Sequence, residues 1–207
     1  MTALQYCVYK IYVNIALTAV ILSLPLTFVL PVEWSFENGL IENLQVIVLL
    51  IGAIFVLSVR SDVWLQRFLA AGLMLIVMRE LSWGRVFFPT GIEELGPVFV
   101  SMADYKYRVH VYIFLAIYIS AMLFMLIRLV PVKKIFLCPQ PLFAFVVILI
   151  AIILNYIGDK GLFIGKACGQ VLEELNELIL YMTLPSVAAY WLWKLKTPVK
   201  IIGGKNF

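Results

Sequence analysis

Charge is scarce in this 207-residue chain: Asp, Glu, Lys and Arg make up 14% of it, against 64% in the apolar set, and mean hydropathy is +1.03. A water-soluble domain carries roughly 25% charged and 45–50% apolar residues. A chain this short has too little interior to hide so much apolar surface, whereas lipid solvates it from outside. A soluble domain is therefore excluded, and with it the disordered, collagen-like and nucleic-acid-binding classes. Cysteine is nearly as sparse: Cys7 and Cys138 fall on one side of the expected membrane and Cys168 on the other, so no disulfide framework exists. Histidine occurs once, at His110, and no HExxH, GxSxG or CxxC string is present, which leaves no zinc or nucleophile signature. The sequence leaves metal and cofactor unknown, with the carboxylates as the only candidate ligands for a hard cation.

What is present is apolar runs. A hydrocarbon layer about 30 Å thick needs about 20 residues at 1.5 Å rise, and six runs approach that length. They cover 12–30, 40–59, 65–88, 109–130, 142–157 and 171–193. The fifth begins earlier, near Ile135, if Pro139 and Pro141 only kink it. Pro25 and Pro185 lie inside runs and predict kinks. The first run is longer than a signal-peptide core and reads as a retained helix. The expected fold is all-α: one polytopic transmembrane domain over 1–207 with about six spans and both termini cytoplasmic. The loop 89–108 is expected to be a re-entrant or interfacial helix capping the outer end. Such a chain is expected to be a multi-pass membrane protein.

Orientation follows the excess of Lys and Arg in cytoplasmic segments. With the N-terminus inside, ten of sixteen basic residues fall inside: Lys10, Arg60, Arg67, Arg128, Lys133, Lys134, Lys194, Lys196, Lys200 and Lys205. The tail lysines serve as an anchor to anionic lipid. The twelve acids divide more sharply. Asp62 alone lies inside, and the other eleven lie on the outer half.

Charged groups at membrane depth are costly and tend to face a bundle interior or cavity. Counting residues from the basic anchors Arg60, Arg67 and Lys194, the carboxylates Glu42, Glu80 and Glu177 stand roughly 27, 20 and 26 Å above the inner face. Three helices thus carry an acid at similar height. Glu173 and Glu177 share a helix face, with Asn176 beside them and Glu174 turned elsewhere. Arg79, Ser82 and Arg85 line one stripe of the third run, with Glu80 and Trp83 on the next; Asn38, Glu42 and Gln45 form a polar stripe on the second. His110 opens the fourth run within reach of the same layer. Gly161, Gly165 and Gly169 repeat every four residues but precede the last run, which argues against a helix-pairing role.

The strings Glu37-Asn38-Gly39-Leu40-Ile41-Glu42 and Arg79-Glu80-Leu81-Ser82-Trp83-Gly84-Arg85 resemble those of a group of bacterial polytopic membrane proteins. Its members open one helix with E-D-G-L-I-E-like residues and close the next with G-E-E-I-S-W-G-Q-R-like residues. The likeness covers about residues 36–88. Arg79 stands where the pattern has its first Glu, and Arg85 follows Gly84 directly. The group has no firm activity, so the resemblance implies architecture and site location, not a reaction.

Three readings of the polar layer follow. In the leading one, the ion pairs lock helices together in a structural or assembly protein that binds another membrane protein. In the second, the chain is an intramembrane enzyme acting from the periplasmic side on a lipid or polyprenyl-phosphate head group. Glu42, Glu80, Glu177 and His110 then do acid–base work, while Arg79, Arg85, Asn43, Ser82, Trp83, Glu173 and Asn176 hold the substrate. In the third, the acids relay ions or protons in a transporter. All three have the lipid bilayer as partner and none involves nucleic acid.

Overall fold

The computed structural model describes residues 2–59, 61–93 and 96–196. Arg60, Glu94, Lys200 and Lys205, used above as anchors or loop acids, lie outside the described residues. Seven helices are present among those described: α1 (Ala3–Thr27), α2 (Leu40–Ser58), α3 (Val63–Glu80), α4 (Arg108–Arg128), the short α5 (Val132–Leu137), α6 (Leu142–Asp159) and α7 (Lys166–Lys196). Of these, α1, α2, α4, α6 and α7 are long and apolar enough to cross a membrane. α3 has 18 residues but carries Arg67, Arg79 and Glu80.

Local chemistry sets several helix ends. Thr2 and Gln5 form a capping box at the start of α1, so that helix begins nine residues before the expected Tyr12. Asp62 accepts from the Leu65 amide at 2.9 Å and starts α3. Pro131 and Pro141 precede α5 and α6, which keeps the two helices separate. Pro25 and Pro185 stand inside continuous helices.

α7 is the axis of the bundle. On one side Ile179, Val187 and Tyr190 pack with Tyr9, Val13, Ala16 and Val20 of α1 and Ala144 and Val147 of α6. On the other, Tyr181, Ala188 and Leu192 pack with Leu49, Ala53 and Val56 of α2 and Leu65, Ala70, Leu73 and Val77 of α3. α4 contributes no buried residue and touches the bundle mainly through α3, where the Tyr118 hydroxyl donates to the Ala71 carbonyl at 2.8 Å. Close helix approach rests on glycine. A Cβ on Gly169 would lie 2.5 Å from the Gly158 carbonyl oxygen, and one on Gly52 would lie 2.4 Å from Pro185 Cγ. Gly169 thus does serve helix pairing, against the sequence expectation, because its partner is Gly158 at the end of α6.

Two further expectations change. Among its described residues, the loop 89–108 holds no helix before α4 begins at Arg108. It forms an antiparallel hairpin of β1 (Pro89–Glu93) and β2 (Gly96–Phe99) on a fold that is otherwise mostly helical. The third apolar run also does not continue as helix to Phe88. α3 stops at Glu80 because Ser82, Trp83 and Gly84 take positive φ of 44°, 57° and 87°, the left-handed region that no right-handed helix passes through.

Packing at the glycines generates a paired prediction. Gly169→Ala forces backbone against backbone and should destabilise the purified protein by about 1–3 kcal/mol. Gly72→Ala meets only Met122 Cε at 3.9 Å and should leave the melting temperature unchanged or higher. Thermal unfolding in detergent compares the two.

Candidate functional site

The start of α2, the end of α3 and the start of α7 meet at one end of the bundle and enclose a cleft of about 440 Å³. α2 and the turn before it supply Glu37 and Glu42. α3 and the turn after it supply Arg79, Glu80, Ser82, Trp83 and Arg85, and α7 supplies Gln170, Glu173, Glu174 and Glu177. Six carboxylates therefore face two guanidinium groups.

Between α3 and α7 lies a compact knot. The Tyr181 hydroxyl accepts from Arg79 Nη1 at 2.7 Å and donates to Glu80 Oε1 at 2.8 Å. Arg79 also pairs with Glu80 and Glu177, each at 3.2 Å. The Glu80 side chain is 6% exposed and that of Arg79 60%, so the acid sits at the floor and the guanidinium at the mouth. Tyr181, itself 2% exposed, is what lets a buried carboxylate keep a donor on its inner side.

The remaining walls are stitched by longer-range hydrogen bonds. Ser82 Oγ donates to Glu37 Oε1 at 2.8 Å, tying the turn after α3 to the approach of α2. Gln45 Nε2 donates to the Glu174 carbonyl at 3.0 Å and to its Oε2 at 2.8 Å, joining α2 to α7. Gln170 Nε2 donates to the Ser35 carbonyl at 3.0 Å. Glu42 accepts from the Asn38 amide and so caps its own helix. Arg85 donates to the Ser82 carbonyl at 3.2 Å and the Val100 carbonyl at 3.3 Å, which fastens the hairpin's exit to the turn. The left-handed run Ser82-Trp83-Gly84 makes this possible. It turns the chain back after α3, so that Ser82 and Arg85 both reach the cleft although the helix has ended. Such conformations at Ser and Trp cost of order 1–3 kcal/mol each.

Of the residues singled out in the sequence, Glu42, Glu80, Glu177, Arg79, Arg85, Ser82, Trp83 and Glu173 come together in the cleft. Three do not. His110 is exposed, stands edge-on to the Tyr107 ring at 6.2 Å, and lines a separate crevice between α3 and α4 with Met78, Val111 and Phe114. Asn43 is exposed and donates to the Asn38 and Gly39 carbonyls at the start of α2. Asn176 is fully buried on the opposite side of α7, where it donates to Ser23 Oγ at 3.3 Å and the Leu172 carbonyl at 2.8 Å. Glu174 corrects the sequence reading in the other direction, since Gln45 holds its carboxylate against the cleft instead of letting it turn away. Tyr181 was missed. Its signal is the spacing of four from Glu177, which puts its hydroxyl under the acid on the same face. Among the described residues, no group of three or more His, Cys, Asp or Glu side chains is placed to hold a metal ion.

Comparison with protein-family models, curated proteins and solved structures gives no match for this chain.

The knot yields a prediction. Tyr181→Phe leaves the ring in place but removes the donor to Glu80 and the acceptor for Arg79. It should lower stability by about 1–3 kcal/mol, more than Ser82→Ala, whose partner Glu37 lies nearer solvent. Parallel thermal melts of the two variants check the order.

Proposed function

We propose that this is a six-span protein of the bacterial inner membrane, with both termini cytoplasmic, whose outward-facing cleft recognises a ligand or partner. It is an assembly or binding protein, not merely a set of locked helices. Five helices of spanning length and hydropathy support the membrane placement, with the more polar 18-residue α3 as the sixth crossing. Lys10, Arg67, Arg128, Lys133, Lys134, Lys194 and Lys196 at the end of the bundle opposite the cleft support the orientation.

One observation carries the binding reading: the cleft is open and its charges do not balance. A lock needs as many cations as anions, in a closed core. Here Arg79 pairs with Glu80 and Glu177, while among the described residues Glu37, Glu42, Glu173 and Glu174 form no ion pair. Glu37, Glu42 and Glu174 accept hydrogen bonds from Ser82, the Asn38 amide and Gln45, which leaves Glu173 as the acid at the cleft that a purely structural lock does not use. Transport draws less support. The hydroxyls below the cleft on α7, Thr183 and Ser186, donate to carbonyls of their own helix at 2.8 and 2.7 Å.

A second reading, an enzyme acting on an amphiphile's head group, is favoured by Tyr181. A buried hydroxyl between a guanidinium and two carboxylates is a set able to move a proton to or from a bound group.

Glu173 tests the binding reading. Its carboxylate has no hydrogen bond or ion pair among the described residues. Glu173→Gln should leave the purified protein monodisperse with an equal or higher melting temperature, because it relieves repulsion without removing a partner. A clear fall in melting temperature would make the acid structural and favour the lock.

A further inference from the structure

α1 carries two seams of the same spacing on opposite sides. Tyr9, Val13, Ala16, Val20, Ser23 and Thr27 recur at alternating steps of four and three residues and are all buried, the first four against α6 and α7. Cys7, Ile11, Asn14, Thr18, Ile21 and Pro25 recur at the same steps half a turn away, and all of them are exposed. The bundle therefore leaves one long face of α1 unpartnered, and that face is not wholly apolar. Neither Asn14 nor Thr18 makes a hydrogen bond among the described residues. On α7, by contrast, Thr183 and Ser186 donate to carbonyls of their own helix and Asn176 donates to Ser23 Oγ.

Depth makes the exposed amide costly. The Tyr9 and Tyr190 rings meet at 4.9 Å and Ser23 meets Asn176 at 3.3 Å, so α1 and α7 run antiparallel in a register that sets Asn14 level with Pro185. Pro185 lies nine residues before Lys194, the inner anchor of the membrane placement, and so about 14 Å above it. That is the middle of a hydrocarbon layer about 30 Å thick. Lipid offers a carboxamide no donor or acceptor there, and Asn on spanning helices bonds across to a neighbouring helix.

We infer that this face of α1 docks a second copy of the chain, seam to seam, with the two Asn14 amides bonded to each other. The inference rests on the membrane placement and is independent of the cleft. An amide carries both donor and acceptor, so two copies related by a two-fold axis along the membrane normal satisfy one another reciprocally. Copies inserted in the same orientation bring Asn14 to Asn14 and Thr18 to Thr18 at equal depth, a match that an unlike helix has to supply by its own sequence. The seven-residue repeat keeps two parallel helices in contact along their length, and Ile11 and Ile21, 54% and 64% exposed, supply apolar packing on either side of the polar pair.

The native Cys7 is the probe, because the seam brings its two copies together near the inner end of α1. In membranes holding the full chain with Cys138→Ser and Cys168→Ser, oxidation by copper phenanthroline in air should join two chains through a Cys7 disulfide. Asn14→Leu should raise the dimer dissociation constant about fivefold or more and lower the cross-linked yield with it, without lowering the melting temperature of the monomer. Asn14→Gln, which keeps the amide, should retain the dimer. Ile127→Cys in a chain lacking the native thiols, equally exposed near the inner end of α4, should give no dimer. Equal yield from Ile127→Cys, or a yield from Cys7 that Asn14→Leu leaves unchanged, would show random collision and overturn the inference. A Cys7 adduct with a chain of different mass would make the seam an interface with an unlike partner and overturn the second-copy assignment. No adduct at all would leave the seam to lipid and overturn it as well. A chain that leaves the membrane pellet in an alkaline wash would bring down the membrane placement together with the dimer.

Discussion

A buried carboxylate has to keep a hydrogen-bond donor, and the arrangement of this molecule follows from how Glu80 keeps its own. Burying an unpartnered carboxylate costs several kcal/mol. Glu80 avoids that cost by accepting from Tyr181 on α7, whose hydroxyl in turn accepts from Arg79 beside Glu80 on α3. One hydroxyl thereby fixes the distance and rotation of two helices. Because Tyr181 and Glu177 are one turn apart, the same contact sets the α7 face bearing Glu173, Glu174 and Glu177 toward α2 and α3.

The apolar parts of the fold hold that geometry from below. α7 is packed on both sides, with α1 and α6 in one half-core and α2 and α3 in the other, and glycine at the α2 and α6 crossings lets the backbones approach. Above this, the strained turn Ser82-Trp83-Gly84 ends α3 early and bends the chain over the cleft. A strained turn and the unpaired carboxylate of Glu173 in one place both oppose stability. Their concentration at one end of an otherwise well-packed bundle is the signature of a site shaped for something other than folding.

The sequence exposed the helices and the level of the acids because both depend on simple periodicities: run length against bilayer thickness, and rise per residue from basic anchors. Glu42, Glu80 and Glu177 do meet in one cleft. Helical spacing failed where the backbone left the helix or where a distant residue intervened. Ser82 and Arg85 reach the cleft through a left-handed turn and not along a helical stripe, and nothing but the Gly84 position hints at it. Glu174 is drawn in by Gln45, more than a hundred residues away in the chain. His110 and Asn176 sit at suitable heights but on the wrong faces, one on α4 beside Tyr107 and the other against α1. Position along each helix was legible, whereas rotation about each helix axis depended on packing partners that no local pattern encodes. The hairpin was hidden for a related reason. Its pairing places Glu93 opposite Gly96 in a segment whose apolar and acidic residues equally suit an interfacial helix.

The central claim is that the cleft opens to the outer face instead of closing as an ion-paired core. Thiol accessibility in intact cells tests it most directly. In a chain with Cys7, Cys138 and Cys168 replaced by Ser, the account predicts that Glu173→Cys reacts with a membrane-impermeant maleimide without permeabilisation. Labelling only after the membrane is breached would invert the orientation, and no labelling under either condition would show the cleft to be closed; either result contradicts the account.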